Sequence, residues 1–476
     1  MSAADVPTTH PKGFWFIFFG ELAERCSFYG MRGLLATYLI VVFGKTKAEA
    51  SEVVHLYIAA CFATGLLGGF IADRYLGKYW TIVLFAVPYV IGQVLIGMSD
   101  MTLMYVALVI LAFGSGVIKP NISTLMGMTY DQQRPGQDLL RSRAFGYFYM
   151  AINVGSLLSY QICPLIRDYF GRYDLASKTL LDPKAGYLAG FLFPAVLMAV
   201  ALVIFAIGKP YYATENVRAD RADDSTSSAD RWRVAGRLAG LFALILFFWM
   251  VFDQKATTWI YFATDYLNTD VVNPVSGAVV WRVAPESLAS ANPFLIICFV
   301  PLLNWFFSWL ASKGYRVRPT DKITAGFLLT AGACAAHAVA GWMATNADGS
   351  ITRVSVLWQM LAYVSLTLGE VLISVTGLEL AYTAAPKSMK GFITALWFVP
   401  IFFANLLSSQ LAKTYPNTVK PGEVAKAPAF ELYGREFFPI PQFTTAQAYF
   451  LCLAVLLLVV TAAFVLVARR FNRVHR

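Results

Sequence analysis

Residues 186–208 and 443–468 are uninterrupted apolar runs, each longer than the roughly 20 residues that carry a helix across the hydrocarbon of a bilayer. Ten further stretches follow the same pattern, and this repetition restricts the chain to one class, an all-α membrane protein. Spans are expected at 13–43, 49–74, 79–98, 102–128, 141–166, 186–208, 234–267, 288–312, 322–344, 353–385, 388–413 and 443–468. The first, seventh and tenth exceed the bilayer and are expected to tilt or to project from it. Composition agrees: 58% of residues are hydrophobic and 14% charged, against about a quarter charged in soluble chains. The first segment keeps its charges and lacks a small-residue cleavage site, so it reads as a retained span.

Between spans six and seven, Lys209 to Arg233 contains DRADDSTSSADR and no apolar run. It is expected to be a flexible linker between two bundles of six helices, 1–208 and 234–476. Lysine and arginine are unevenly shared between alternate loops. With both termini in the cytoplasm, the larger share, including Arg74, Lys78, Arg134, Arg141, Arg143, Arg469 and Arg470, falls on the cytoplasmic side. The net charge of +10 is therefore assigned to topology and not to a nucleic-acid partner. All six cysteines lie in apolar segments without a CxxC pair and are expected to be core residues. Four histidines, no HExxH and no Ser–His–Asp set in neighbouring spans argue against an enzyme.

An ionised group at mid-membrane depth costs several kcal/mol and marks a functional site. Span one holds ELAERCSFYGMRGLL, with Glu21 and Arg25 four residues apart, Arg32 two turns further, and Glu24 somewhat aside. Lys119 lies in span four, Asn153 in span five, Asp253 and Lys255 in span seven, Asn292 in span eight, and Glu370 and Ser374 in span ten. These groups are expected to line a wet cavity with a positive and a negative pole. A free peptide, with an amine at one end and a carboxylate at the other, suits such a site.

Two halves joined by a polar linker, with GGFIADRYLGK at 68–78, resemble the major facilitator superfamily. Gly68 and Gly69 there suggest close helix contact, and Asp73 a partner at a helix N-terminus in the other half. Five further motifs resemble the proton-coupled oligopeptide transporter family: Glu21, Glu24 and Arg25 with the later Arg32; Phe145 to Leu157 as FxxFYxxINxGSL; Lys119 before Pro120 and Asn121; Glu370 with Ser374, Gly377 and Leu378; and Trp397 with Phe398. The resemblance implies a twelve-helix facilitator fold importing di- and tripeptides with protons as the coupling ion and no other cofactor. It implies that Arg25 and Lys119 hold the peptide carboxylate, that Glu370, Asn153 and Asn292 hold the amine, and that Tyr29, Ser374 and Trp397 complete the pocket. Glu21, Glu24 and Arg25 would couple the proton. Arg32 with Asp253 would close the outer gate, and Lys119 with Glu370 the inner side. The same fold for another anionic or zwitterionic solute, such as nitrate, an amino-acid conjugate or a drug, is the alternative.

The resemblance also implies a monomer in a bacterial inner membrane, its partners being short peptides, protons and lipid. Several residues depart from the family's pattern: Cys26, Phe28, Phe62, Gly65, Val375 and Lys255. Lys255 stands where the family often has glutamine, and could neutralise Asp253, bind substrate or snorkel, with a local structural role favoured. His55 fits a span-two histidine used in coupling by animal members, but reads equally as a hydrogen-bonded histidine; His337 reads as structural.

Overall fold

The computed structural model describes residues 9–215, 228–315, 317–384, 397–416, 429–432, 435–439 and 442–474. Thirteen helices account for most of them. They are α1 (Lys12–Val41), α2 (Lys47–Ile71), α3 (Lys78–Ile96), α4 (Met101–Gln133), α5 (Asp138–Phe170), α6 (Pro183–Ile207), α7 (Ser228–Phe252) and α8 (Thr258–Tyr266). The rest are α9 (Ala291–Ser312), α10 (Pro319–Ala344), α11 (Leu357–Ala384), α12 (Phe398–Leu411) and α13 (Ala446–Val474). Among the described residues strands appear only as short pairs, such as Tyr173–Asp174 with Thr179–Leu180. Among the described residues nine helices are long and apolar enough to cross a membrane, and α7 with α8 makes a tenth, bent by 45°. The chain is thus a multi-pass, all-α membrane protein. Taken with α7 and α8 as one broken span, the described helices overlap the twelve positions expected from the sequence, although ten and not twelve are long and apolar enough to cross, and residues 388–396 of the expected span 388–413 lie outside the described residues.

The chain divides into two compact units, Met1–Leu34 with Ala60–Asp224, and Leu35–Ala59 with Ser225–Arg476. This differs from a boundary in the linker alone, because the connection between α1 and α2 groups with the second unit. Its ties explain why. Lys47 pairs with Asp265, and Lys413 Nζ lies 2.9 Å from Glu52 Oε1. The Ser51 hydroxyl donates to the Tyr261 hydroxyl at 3.1 Å.

In the first unit α3 packs on α4 and α6, and α5 on α6. A methyl at Gly68 would sit 2.6 Å from the Val117 Cα, so this glycine is what lets α2 approach α4. A methyl at Gly69 would meet nothing within 4 Å, so only one of the two glycines expected at a helix contact makes one. Asp73, in the π-helical turn Ala72–Leu76, pairs with Lys78 of its own loop. Gly77 then turns the chain into α3 with φ at +76°. The first amides of α3 are capped from a distance: Glu215 Oε2 accepts from the Lys78 N–H at 2.6 Å and Oε1 from the Tyr79 N–H at 3.1 Å. A carboxylate at a helix N-terminus satisfies orphan donors and the positive end of the helix dipole together. Of the expected linker 209–233 only the ends are described: Lys209 to Glu215 is folded onto the first unit and Ser228 begins α7, while 216–227 lies outside the described residues.

In the second unit α10 packs on α11 and α13, α7 on α12 and α13, and α9 on α11. His337 is buried there, stacked 4.6 Å from Phe450 and 4.2 Å from Trp259, a packing residue. Cys298 and Cys452 are exposed, unlike the other four cysteines. The expectation that all six are core residues fails because a lipid-facing surface is as apolar as the interior.

Candidate functional site

The ionised residues of α1 are buried where the spacing places them. Glu21 is 1%, Glu24 2%, Arg25 5% and Arg32 7% exposed. One helical turn brings Arg25 back over Glu21, and Arg25 Nε donates to Glu21 Oε1 at 2.7 Å. The same nitrogen lies 2.7 Å from Glu24 Oε2. Arginine Nε carries a single hydrogen, so it cannot serve both carboxylates. It serves Glu21; neither oxygen of Glu24 accepts a hydrogen bond among the described residues. Glu24 instead borders a small pocket lined by Ile82, Ala86, Ile118 and Met198.

Around this cluster α4 and α5 add the remaining first-unit residues. Lys119 Nζ sits 3.5 Å from the centroid of Phe28 and 5.9 Å from that of Phe62. Within this unit no carboxylate or hydroxyl holds it among the described residues, and a cation–π contact leaves its three N–H donors available. The aromatic ring of Phe28 thus positions the lysine. Tyr29 packs edge-on to Phe28 at 5.2 Å and near Tyr160 at 5.9 Å. Asn153 is 5% exposed and donates to the Tyr149 carbonyl at 2.9 Å. Its helix lies directly against α1: a methyl at Gly155 would be 2.6 Å from the Leu22 carbonyl oxygen.

The second unit gathers a separate set at the break between α7 and α8. Asp253–Ala256 forms a 3₁₀ turn and Thr257 interrupts the helix. Non-helical backbone at membrane depth persists only where buried polar partners satisfy it, and here they are dense. Asn405 of α12 donates to Asp253 Oδ2 at 2.8 Å. Its carbonyl oxygen then faces His55 Nδ1 at 3.2 Å, so Nδ1 carries a proton. His55 Nε2 meets the Thr257 hydroxyl at 3.0 Å, and Gln254 accepts from Tyr449 at 3.0 Å. Sequence reasoning missed Asn405 and Thr257; the one visible signal was an asparagine inside the apolar run IFFANLL.

A second chain runs from Lys255 to α11. Lys255 Nζ donates to Asn292 Oδ1 at 2.7 Å, and Asn292 Nδ2 donates to Glu370 Oε2 at 2.6 Å and Thr367 Oγ1 at 3.0 Å. Glu370 and Asn292, expected to act together, are thus in contact. Ser374 is on the same helix as Glu370, with its hydroxyl buried and without a partner among the described residues. Trp397 is 5% exposed and packs 5.5 Å from Phe242 and tightly on Gly377, where a methyl would meet its ring at 2.2 Å.

Arg25, Lys119, Tyr29 and Asn153 belong to the first unit and Asn292, Glu370, Ser374 and Trp397 to the second. Arg32 and Asp253 are divided in the same way, as are Lys119 and Glu370. The first unit presents cations to be used; the second presents a carboxylate in a donor network.

Comparison with known proteins follows the same lines. A profile of the POT family matches residues 79–228 and 221–426. The chain is 29% identical over 437 residues to the dipeptide and tripeptide permease B of Salmonella typhimurium, covering 84% of this chain and 86% of that one. It is 29% identical over 375 residues to the solute carrier family 15 member 1 of Mus musculus, covering 67% of this chain and 50% of the longer relative. The crystal structure of the POT family transporter PepTSo superposes with a TM-score of 0.77 at 26% identity, covering 98% and 99% of the two chains. A POT family transporter in complex with a thioalcohol conjugated peptide shares the fold at 21% identity, with a TM-score of 0.76 over 97% of each chain.

Proposed function

We propose that this chain, which belongs to the POT family, imports di- and tripeptides together with protons by alternating access of the halves 1–208 and 234–476. The observation that carries the reading is the division of charge: usable cations at Arg25 and Lys119 in one unit, and Glu370 with its donors in the other. A zwitterion satisfies both. Its carboxylate meets Lys119 and draws on Arg25, its amine meets the Glu370 region with Asn153 and Asn292, and Tyr29, Ser374 and Trp397 complete the binding set.

Proton coupling follows from the competition for Arg25. A carboxylate beside an arginine favours its ionised form, and losing that neighbour favours protonation. A peptide carboxylate that engages Arg25 leaves Glu21 or Glu24 to take a proton, and release of that proton to the cytoplasm restores the pair. Each proton moving inward gains about 2.3 kcal/mol per 100 mV. Rocking of the halves around the bound peptide is gated by Arg32 with Asp253 on the outside and by Lys119 with Glu370 on the inside. The protein works as a monomer in a bacterial inner membrane with both termini cytoplasmic, the side on which lysine and arginine concentrate.

Uptake of labelled Ala-Ala into proteoliposomes with an imposed inward pH gradient tests this. Accumulation that unlabelled dipeptides inhibit and free amino acids do not is the expected result. Absence of uptake, with accumulation of another anionic or zwitterionic solute, would replace the peptide by that solute.

A further inference from the structure

The transport cycle above gives Lys255 no task, yet its surroundings are specific. The side chain lies in the 3₁₀ turn after α7, 9% exposed, with its ammonium 3.5 Å from the centroid of Phe252. From there it donates to Asn292 Oδ1 at 2.7 Å. On its other side the Asn292 amide reaches Glu370 Oε2 at 2.6 Å and Thr367 Oγ1 at 3.0 Å. An ammonium only donates and an ionised carboxylate only accepts. The Asn292 amide therefore has one permitted orientation, carbonyl toward Lys255 and NH₂ toward Glu370. Polarisation along the chain strengthens each bond in it.

Two consequences follow. The Asn292 carbonyl, which was expected to receive a substrate amine, is engaged by a cation of the protein itself. And Glu370, the anion of the amine end, is compensated by a positive charge one amide away. A neutral side chain at 255 would release the Asn292 carbonyl to the substrate and take that positive charge away from Glu370.

We propose that Lys255 determines specificity at the amine end: acting through Asn292, it stands in for the substrate's ammonium, so that peptides with an acylated, uncharged amino end are accepted beside those with a free amine. This rests on the peptide-transport reading. Lys255 is a positioning residue in this scheme.

The test is competition of labelled Ala-Ala counterflow in proteoliposomes by unlabelled Ala-Ala and by N-acetyl-Ala-Ala. The wild type is expected to show half-inhibitory concentrations within about tenfold of each other. Lys255→Gln should widen that ratio by about tenfold or more, and Lys255→Arg, which keeps the cation, should hold it near the wild-type value. Equal ratios in the wild type and Lys255→Gln overturn the proposal. So does a wild-type ratio well above tenfold, which decides the matter even where Lys255→Gln fails to fold. Thermal stabilisation of the detergent-solubilised protein by the same two compounds supplies the ratio for a variant that binds without transporting. Wild-type protein that exchanges no Ala-Ala at all would fail the peptide reading instead, a distinct result.

Discussion

Glu24→Gln should separate the proton from the peptide. The structure sets what is lost. Arg25 Nε has one hydrogen and gives it to Glu21 Oε1 at 2.7 Å, while Glu24 Oε2, at the same distance, accepts no hydrogen bond among the described residues. Glutamine at 24 removes one carboxylate from the ion pair but breaks no hydrogen bond and leaves Arg25 its bond to Glu21, so it should cost less than the roughly 3–5 kcal/mol of a buried charge left without a partner. Glu21→Gln breaks a charge-assisted bond and should cost about 1.5–3 kcal/mol. The functional effect runs the other way. At 100 mV and one pH unit, a proton carried with each zwitterion gains about 3.7 kcal/mol, a limit of roughly 500-fold accumulation. Glu24→Gln should bring accumulation toward unity while counterflow, which needs no net proton movement, stays within about threefold of wild type. The assay is paired: gradient-driven uptake and counterflow of labelled Ala-Ala from the same proteoliposome preparation, with thermal unfolding in detergent alongside. Accumulation retained in Glu24→Gln would refute the argument, because a group that cannot ionise would then be carrying the proton. Loss of counterflow together with accumulation would refute it too, by making Glu24 a binding group.

Three further outcomes are expected. Gly68→Ala should destabilise by about 1–3 kcal/mol, because its methyl would lie 2.6 Å from the Val117 Cα, whereas Gly69→Ala meets nothing and should gain a few tenths to about 1 kcal/mol; thermal unfolding of the two variants in detergent compares them. Glu215→Ala should uncap α3 at a cost of about 1–2 kcal/mol and speed amide exchange at Lys78 and Tyr79, the two donors it satisfies. His10, 2.5 Å from the Tyr130 hydroxyl, has its pKa lowered by burial first and then by Arg143 and Arg134. The native chain binds fewer protons there than the unfolded one, so its contribution is present above the ordinary value of 6.5 and is lost as the pH falls through the lowered one. Protection of the amides near His10, corrected for intrinsic exchange, should fall as the pH drops below 6.5, and His10→Gln should remove that dependence.

What could be read along the chain was whatever depends on local spacing. Glu21 and Arg25 are four residues apart on a helix, so their meeting needed no tertiary information. The apolar runs gave the helices because length alone distinguishes a span. Apolarity does not report which way a residue faces when lipid and protein interior are equally apolar, and so Cys298, Cys452 and Gly69 were misplaced. The break at Thr257 was also hidden. The run FDQKATTW has no proline or glycine, and the interruption persists because His55, Asn405 and Tyr449, from distant parts of the chain, supply its polar partners.

Lys255 shows the same limit at the site itself. Read locally, a lysine two residues from Asp253 suggests neutralisation of that aspartate, and the 3₁₀ turn changes the geometry on which the suggestion rests. Asn292, to which it donates, is 37 residues away on α9, and Glu370 is a further 78 residues along on α11. Donor and acceptor chemistry then fixes the amide between them in one orientation. A motif match assigned Asn292 and Glu370 to the substrate amine as though both were vacant; the contact with Lys255 makes one of them a donor within a neutralised pair. On the proposal made above, residues that share a family's pattern keep their positions and differ in the charge they offer, and position 255 is the source of that difference in this chain.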